Sequence, residues 1–286
     1  MKINKDSKLN MVKYPPIFLL ILICVLSCDL DETQEVVTLD NLVWADEFDT
    51  DGAPNPEHWN FEIGDGTKQG IPGWGNNELQ YYTDRPQNVK VENGVLLITA
   101  RQESFEGNNY TSARLTTQNL FEQKYGRYEA RIKVPYGKGY WPAFWLLGND
   151  CDVNPWPACG EIDIMEYLGD EPTSVFSTIH GPQYSGAESI SKEFSLENGR
   201  FDTDFHVYGM EWSPNRINFY VDDVLYHSLT PEDVDEETNG TGNWIFNDRA
   251  FYIILNVAVG GNLPGNPNSE TVFPQSMVVD YVRVYN

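Results

Sequence analysis

An all-β sandwich is the fold class this chain predicts, and three observations lead there. Short runs rich in Val, Ile, Tyr and Phe recur from Leu39 to Asn286, separated by clusters of Gly, Pro, Asn and Asp that favour turns. Within several runs apolar and polar residues alternate, the pattern of a strand with one face on a core. No stretch beyond the N-terminal apolar segment shows a helical period. Strands at regular spacing, with no helices to cover a parallel sheet, are expected to pack as two antiparallel layers.

The elements follow in order. Residues 89–91 and 95–99 flank Glu92-Asn93-Gly94 and read as a hairpin. Residues 126–134 alternate cleanly, as do 216–221 and 224–227, which are joined through Asp222-Asp223. Residues 251–259 are almost continuously apolar, the mark of a strand buried on both faces. Residues 277–285 close the chain, with Val278, Asp280, Val282 and Val284 assigned to one face by strict alternation. The acidic segment 231–238 and the glycine-rich segment 260–268 read as loop insertions. There is no internal repeat and no domain boundary, so residues 39–286 read as one domain.

The N-terminus reads as an export signal. Lys2, Lys5, Lys8 and Lys13 precede an apolar run from Ile17 to Leu26, too short to span a bilayer as a permanent helix. Met11 would open a more typical signal. Val25-Leu26-Ser27-Cys28 resembles a bacterial lipobox, which implies cleavage after residue 27 and a lipid on Cys28; ordinary signal cleavage nearby is the alternative. Residues 28–38, rich in Asp and Glu, then form an acidic tether. The expectation is an exported chain, lipid-anchored to a bacterial membrane and facing the cell surface or periplasm. Of the four cysteines, Cys24 leaves with the signal, and Cys151 and Cys159 remain. In an exported protein a disulfide between them is expected, with free thiols as the alternative.

Composition excludes more than it selects. Lys+Arg 19 against Asp+Glu 43 gives a net charge of −24, which repels nucleic acid and makes sulfated or uronic polysaccharides poor partners. A neutral partner and a monomer are expected. The 8 Trp, 16 Tyr and 14 Phe suffice for a core and an aromatic-lined groove.

The most informative segment is Glu161-Ile-Asp-Ile-Met-Glu166. As a strand it places Glu161 and Asp163 on one face, with Ile162 and Ile164 on the other. Strict alternation would put Met165 on the acidic face, so one extra residue in a β-bulge is needed to bring Glu166 beside Asp163. Carboxyls this close raise one another's pKa values, so at least one Glu stays protonated near neutral pH. One ionised and one protonated carboxyl flanking a bond is what glycoside hydrolysis uses.

Trp141-Pro-Ala-Phe-Trp-Leu-Leu, followed by Trp156-Pro-Ala-Cys-Gly-Glu-Ile-Asp-Ile-Met-Glu-Tyr, resembles glycoside hydrolase family 16, and within it the laminarinases, endo-acting β-1,3-glucanases. Trp44-Ala-Asp-Glu-Phe-Asp49, Gly73-Trp-Gly-Asn-Asn-Glu-Leu-Gln-Tyr-Tyr82, Ser112-Ala-Arg-Leu115, Ile179-His-Gly-Pro182 and Asp280-Tyr-Val-Arg-Val-Tyr285 extend the match over nearly all of residues 39–286. The extra residue in the acidic motif separates the chain from the lichenase branch. The resemblance implies a concanavalin-like jelly roll of two curved antiparallel sheets, with a substrate groove on the concave face. It implies a retaining double displacement with Glu161 as nucleophile, Asp163 as helper and Glu166 as general acid/base. Trp74, Trp141, Trp145 and Trp156 would stack on sugar rings. Asn77 and Glu78 would bind sugar hydroxyls, and Arg114 would do the same or pair with a carboxylate. His180 would stand near the leaving group or serve the turn it sits in. No cofactor is implied for catalysis. A structural calcium held by Glu47, Gly94 and Asp280 is implied for many members, with simple hydrogen bonding as the alternative. Competing readings are a hydrolase of mixed-linkage glucan or agarose, and a sugar-binding module without catalysis.

Overall fold

The computed structural model describes residues 41–286. The signal segment and Cys28 lie outside the described residues. The alternating runs become the strands of two sheets. In the first, the order is Val224–Leu229, Arg216–Val221, His206–Ser213, Gly126–Lys133, Gln275–Tyr285, Val95–Phe105, Asn108–Ser112 and Gln80–Tyr82, with Leu42–Asp46 paired to Gln275–Tyr285 and Val89–Glu92 to Val95–Phe105. In the second, the order is Ile190–Ser195, Ser174–His180, Glu161–Glu166, Tyr140–Gly148, Phe251–Val259, Arg114–Thr116 and Asn60–Phe61, with Glu122–Gln123 also paired to Phe251–Val259. Every pairing between these strands is antiparallel except that of Gln80–Tyr82 with Asn108–Ser112.

The sheets meet over one apolar core. Ile162, Ile164 and Met165 of the second sheet are buried in it, as are Ile132, Tyr208, Met210 and Val282 of the first. Trp212 crosses between the layers, its ring edge-on to Phe251 at 5.2 Å and its Nε1–H donated to the Phe246 carbonyl at 2.8 Å. Each such side chain contributes about 1.5–3 kcal/mol by leaving water.

The expected hairpins form. Glu92 pairs with Val95, so the turn is Asn93-Gly94 at φ 55° and 77°, the left-handed pair that matches strand twist. Asp222-Asp223, at φ 49° and 62°, turns the second hairpin. Phe251–Val259 is buried at all nine positions.

Two expectations need correction. Residues 231–238 are not a plain loop: Pro231–Glu237 is a short α-helix. Thr230 accepts from Asp233 N–H while Asp233 accepts from Thr230 N–H, a capping box, and Pro231 sits in the first turn. The helix spans too few residues to show a period, so only its start signals were readable. In the last strand, Val279, Val282 and Val284 are buried and Val278 is not. The register slips between Val279 and Tyr281, so Asp280 sits in a bulge that strict alternation missed.

Candidate active site

The acid-bearing strand lies between Tyr140–Gly148 and Ser174–His180. Asp163 pairs with Trp145 and Met165 with Phe144, so Ile164 has no partner on that side. On the other side Asp163 pairs with Thr178 and Glu166 with Phe176. Ile164 and Met165 both turn into the core, at 1% and 0% exposure. The bulge inferred from sequence is therefore present, and apolar burial on both sides of it pins the register.

On the opposite face the three acids meet different surroundings. Asp163 is only 3% exposed, and its pKa is raised well above the usual carboxylate range by burial and by Glu161 and Glu166. Glu166 is also raised, by burial first and by Glu161, while His180, Thr178 and Trp141 pull the other way. Its Oε1 accepts from Trp141 Nε1–H at 3.1 Å and its Oε2 from Thr178 Oγ1 at 3.0 Å. Glu161 is more open than Asp163, with 16% of its side chain exposed against 5%. Burial and the charge of Glu161 thus favour the protonated form at Glu166.

His180 pairs across strands with Glu161, and its Nε2 lies 3.1 Å from Asp163 Oδ2 and 3.5 Å from Glu161 Oε1. Burial lowers its pKa, but the charge of Glu161 and Asp163 outweighs that and raises it to about 9. Gly186 N–H donates to Nδ1 at 3.2 Å, which leaves Nε2, on the side of the acids, as the proton-bearing nitrogen of the neutral ring. Protonating Nδ1 as well would cost that bond.

The tryptophans divide into two groups. Trp156 is 46% exposed and packs on His180 at 5.9 Å between ring centroids. Its loop is closed by a Cys151–Cys159 disulfide, Cα–Cα 4.9 Å, and Arg249 ties the loop through Asp150 Oδ1 at 2.8 Å and the Ala158 carbonyl at 3.0 Å. Trp141 is partly open and touches Glu166 directly. Trp74, in contrast, is 5% exposed, hydrogen-bonded to the Gly64 carbonyl at 3.3 Å and covered by Arg114 at 4.6 Å. It is part of the packing beneath the site, not an open sugar platform. Arg114 also lies over Trp145 at 4.7 Å and pairs with Glu62. Of the two roles open to Arg114, the structure takes carboxylate pairing.

Asn77 is exposed and donates to Asn262 Oδ1 at 2.8 Å, which joins two loops with the Asn262 N–H bond to the Asn76 carbonyl, also 2.8 Å. Glu78 is partly buried, and burial raises its pKa. Gln80 Nε2 donates to its Oε2 at 2.6 Å. The Gln80 amide is oriented by Val259 N–H, bonded to Gln80 Oε1 at 2.8 Å. Tyr82 Oη links Glu78 to Asn256 Nδ2 at 3.1 Å, and Asn256 Oδ1 accepts from Trp145 Nε1 at 2.8 Å. Sequence reasoning missed Asn256, Tyr82, Gln80 and Thr178. Asn256 did carry a signal: it is the one amide in the apolar run Phe251–Val259, and a buried polar group needs partners.

The residues read as calcium ligands do not suit the ion in this arrangement. Glu47 gives both oxygens to Arg283 at 2.7 and 2.9 Å, and Asp280 gives Oδ2 to Arg131 at 2.7 Å. Each carboxylate charge is already matched by a guanidinium. Gly94 contributes the turn described above.

A row of coupled carboxyls on the outer face of an antiparallel sandwich, flanked by tryptophan, defines a glycosidase-type site. The chain belongs to the Glycosyl hydrolases family 16, whose model matches residues 76–280. It is 44% identical over 248 residues to a beta-glucanase of Rhodothermus marinus, covering 85% of this chain and 84% of that one. Among solved structures, the laminarinase catalytic domain of Thermotoga maritima MSB8 is 51% identical, with TM-score 0.81 and coverage of 86% and 98%. The endo-beta-1,3-glucanase of Pyrococcus furiosus is 50% identical, with TM-score 0.81 and coverage of 86% and 94%.

Proposed function

We propose that this chain is an endo-acting, retaining β-1,3-glucanase of the laminarinase type. The observation that carries it is the bulged strand that sets Glu161, Asp163 and Glu166 on one face, with Glu166 bonded to Trp141. The names borne by the relatives above support the linkage. Glu161 attacks the anomeric carbon as the glycosidic bond breaks, and Glu166 gives its proton to the departing oxygen. Water then attacks the glycosyl ester, Glu166 takes the water proton, and Glu161 leaves as a carboxylate. His180 stands against Asp163 and Glu161 and offsets their charge. Trp141 and Trp156 are the open ring surfaces for glucose units. Asn77 and Glu78 are the polar groups proposed to meet hydroxyls.

Purified protein assayed on laminarin, lichenan, agarose and carrageenan is expected to release a range of β-1,3-linked oligosaccharides from laminarin fastest. Cleavage of agarose with laminarin untouched would overturn the linkage. Binding of laminarin without any new reducing ends would favour a sugar-binding module.

Export and lipid anchoring through Cys28 complete the proposal, with a neutral glucan met outside the cell by a monomeric enzyme. The expected result for Cys28→Ala is release from the membrane fraction at unchanged specific activity. An Ala variant that stays with the membrane after signal cleavage would refute the anchor.

A further inference from the structure

In the proposed reaction Glu166 is neutral before it protonates the leaving group and anionic afterwards. Its two oxygens meet partners of different kinds. Oε1 accepts from the Trp141 ring N–H at 3.1 Å, a group that can only donate. Oε2 faces Thr178 Oγ1 at 3.0 Å, and a hydroxyl can donate or accept. Thr178 Oγ1 lies 3.0 Å from Ser191 Oγ, which in turn lies 3.3 Å from the Ser177 carbonyl. Strand pairing aligns the groups, since Thr178 stands opposite Asp163 on one side and Ser191 on the other.

Each hydroxyl carries one proton, so the row has two consistent settings. With Glu166 ionised, Ser191 donates to Thr178 and Thr178 donates to Oε2. With a proton on Oε2, Glu166 donates to Thr178, Thr178 to Ser191, and Ser191 to the Ser177 carbonyl. Passing from one setting to the other needs only rotation of two hydroxyls. Neither setting leaves a donor of the row without an acceptor, which matters because Thr178 is 3% exposed and an unmet buried group is costly.

We propose that Thr178 and Ser191 form a reversible hydroxyl relay that satisfies Glu166 in both of its protonation states, which makes them positioning residues for the acid/base step. The inference rests on the assignment of Glu166 above. The titratable groups that act on Glu166 are Glu161 and Asp163 on its own strand, His180 on the next, and Tyr226 from Val224–Leu229. None of them is altered by the substitutions that follow.

The test is the pH profile of kcat/KM on laminarin, whose descending limb follows loss of the Glu166 proton in the free enzyme. Thr178→Val removes a donor from the anion, where a charge-assisted bond counts for more than its neutral counterpart, so the limb is expected to rise by about one pH unit. Ser191→Val should move it the opposite way, down by about half a unit. Thr178 then lacks an acceptor when Glu166 is neutral but still donates when Glu166 is charged. Valine is chosen because Ser191 is exposed and water would replace its hydroxyl beside alanine. Ser191→Thr restores the hydroxyl and should return the limb to its wild-type position. A merely structural role would lower kcat/KM at every pH and leave the limb in place.

Opposite shifts with rescue support the relay; shifts of the same sign, or an unmoved limb in Ser191→Val, overturn it. Should Thr178→Val fail to fold, the Ser191→Val and Ser191→Thr pair decides alone. A wild-type protein inert on laminarin overturns the reading beneath the relay and the relay with it. An active one whose limb ignores Ser191 overturns the relay only.

Discussion

Glu161→Gln is expected to lower kcat on laminarin by about four orders of magnitude or more while the protein stays folded and still binds glucan. The amide keeps the shape of the carboxyl, so the strand pairing of Glu161 with His180 and Leu147 survives. It cannot form a glycosyl ester, because a neutral amide is a poor nucleophile at the anomeric carbon. The core behind the strand is untouched, since Ile162 and Ile164 face the other way. Steady-state rates, a circular dichroism spectrum and titration with laminari-oligosaccharides separate chemistry from folding and binding. Retention of more than a few per cent of the wild-type rate would show that Glu161 is not the nucleophile.

Deleting Met165 should also lower activity strongly, although Met165 does no chemistry. The deletion removes a fully buried side chain, which alone costs about 2–5 kcal/mol. It also takes out the surplus residue that the pairing on both sides accommodates. Without it Glu166 follows Ile164 directly and plain alternation keeps it on the groove face, but the strand is one residue shorter, so Glu166 is displaced along it by about 3.3 Å. The three acids keep the groove face, but Glu166 is drawn off its bonds to Trp141 and Thr178 and the core loses the Met165 side chain. Expected results are a fall in melting temperature of several degrees and a kcat lowered by about two orders of magnitude or more, from misplacement of Glu166. A deletion variant with near-normal rate and stability would refute the geometric account of the bulge, and the family assignment would stand.

Much of this was legible in the chain because the signals are local. The acidic motif announces its bulge by arithmetic: six residues, three acids, and apolar residues that can occupy only the core. Asn93-Gly94 names its own turn, and the unbroken apolar run Phe251–Val259 names its own burial. Asp280 shows the limit of the same arithmetic. It too lies at a bulge, but with Val residues on both sides the alternation offered no contradiction to reveal the slip. The helix Pro231–Glu237 escaped for want of length, since one buried residue, Val234, cannot show a period.

The roles of polar side chains were less readable, because partners far apart in the chain decide them. Trp74 and Trp156 are the same residue type in similar glycine- and proline-rich surroundings. One is sealed beneath Arg114, and the other stands open over His180. Arg114 meets Glu62, and Glu47 meets Arg283 across 236 positions of sequence. No spacing rule predicts such pairings, because loop closure and sheet order bring the partners together.

By itself, then, the sequence determined the sandwich class, the acid row and the extra residue that aligns it, since each depends on the period of a strand and on which residues water excludes. The tertiary structure alone decided which carboxyl lies deepest, which tryptophans remain open, and which hydroxyls reach Glu166. Those properties come from burial and from contacts between distant strands, and a side chain's charge state and freedom depend on what surrounds it in space.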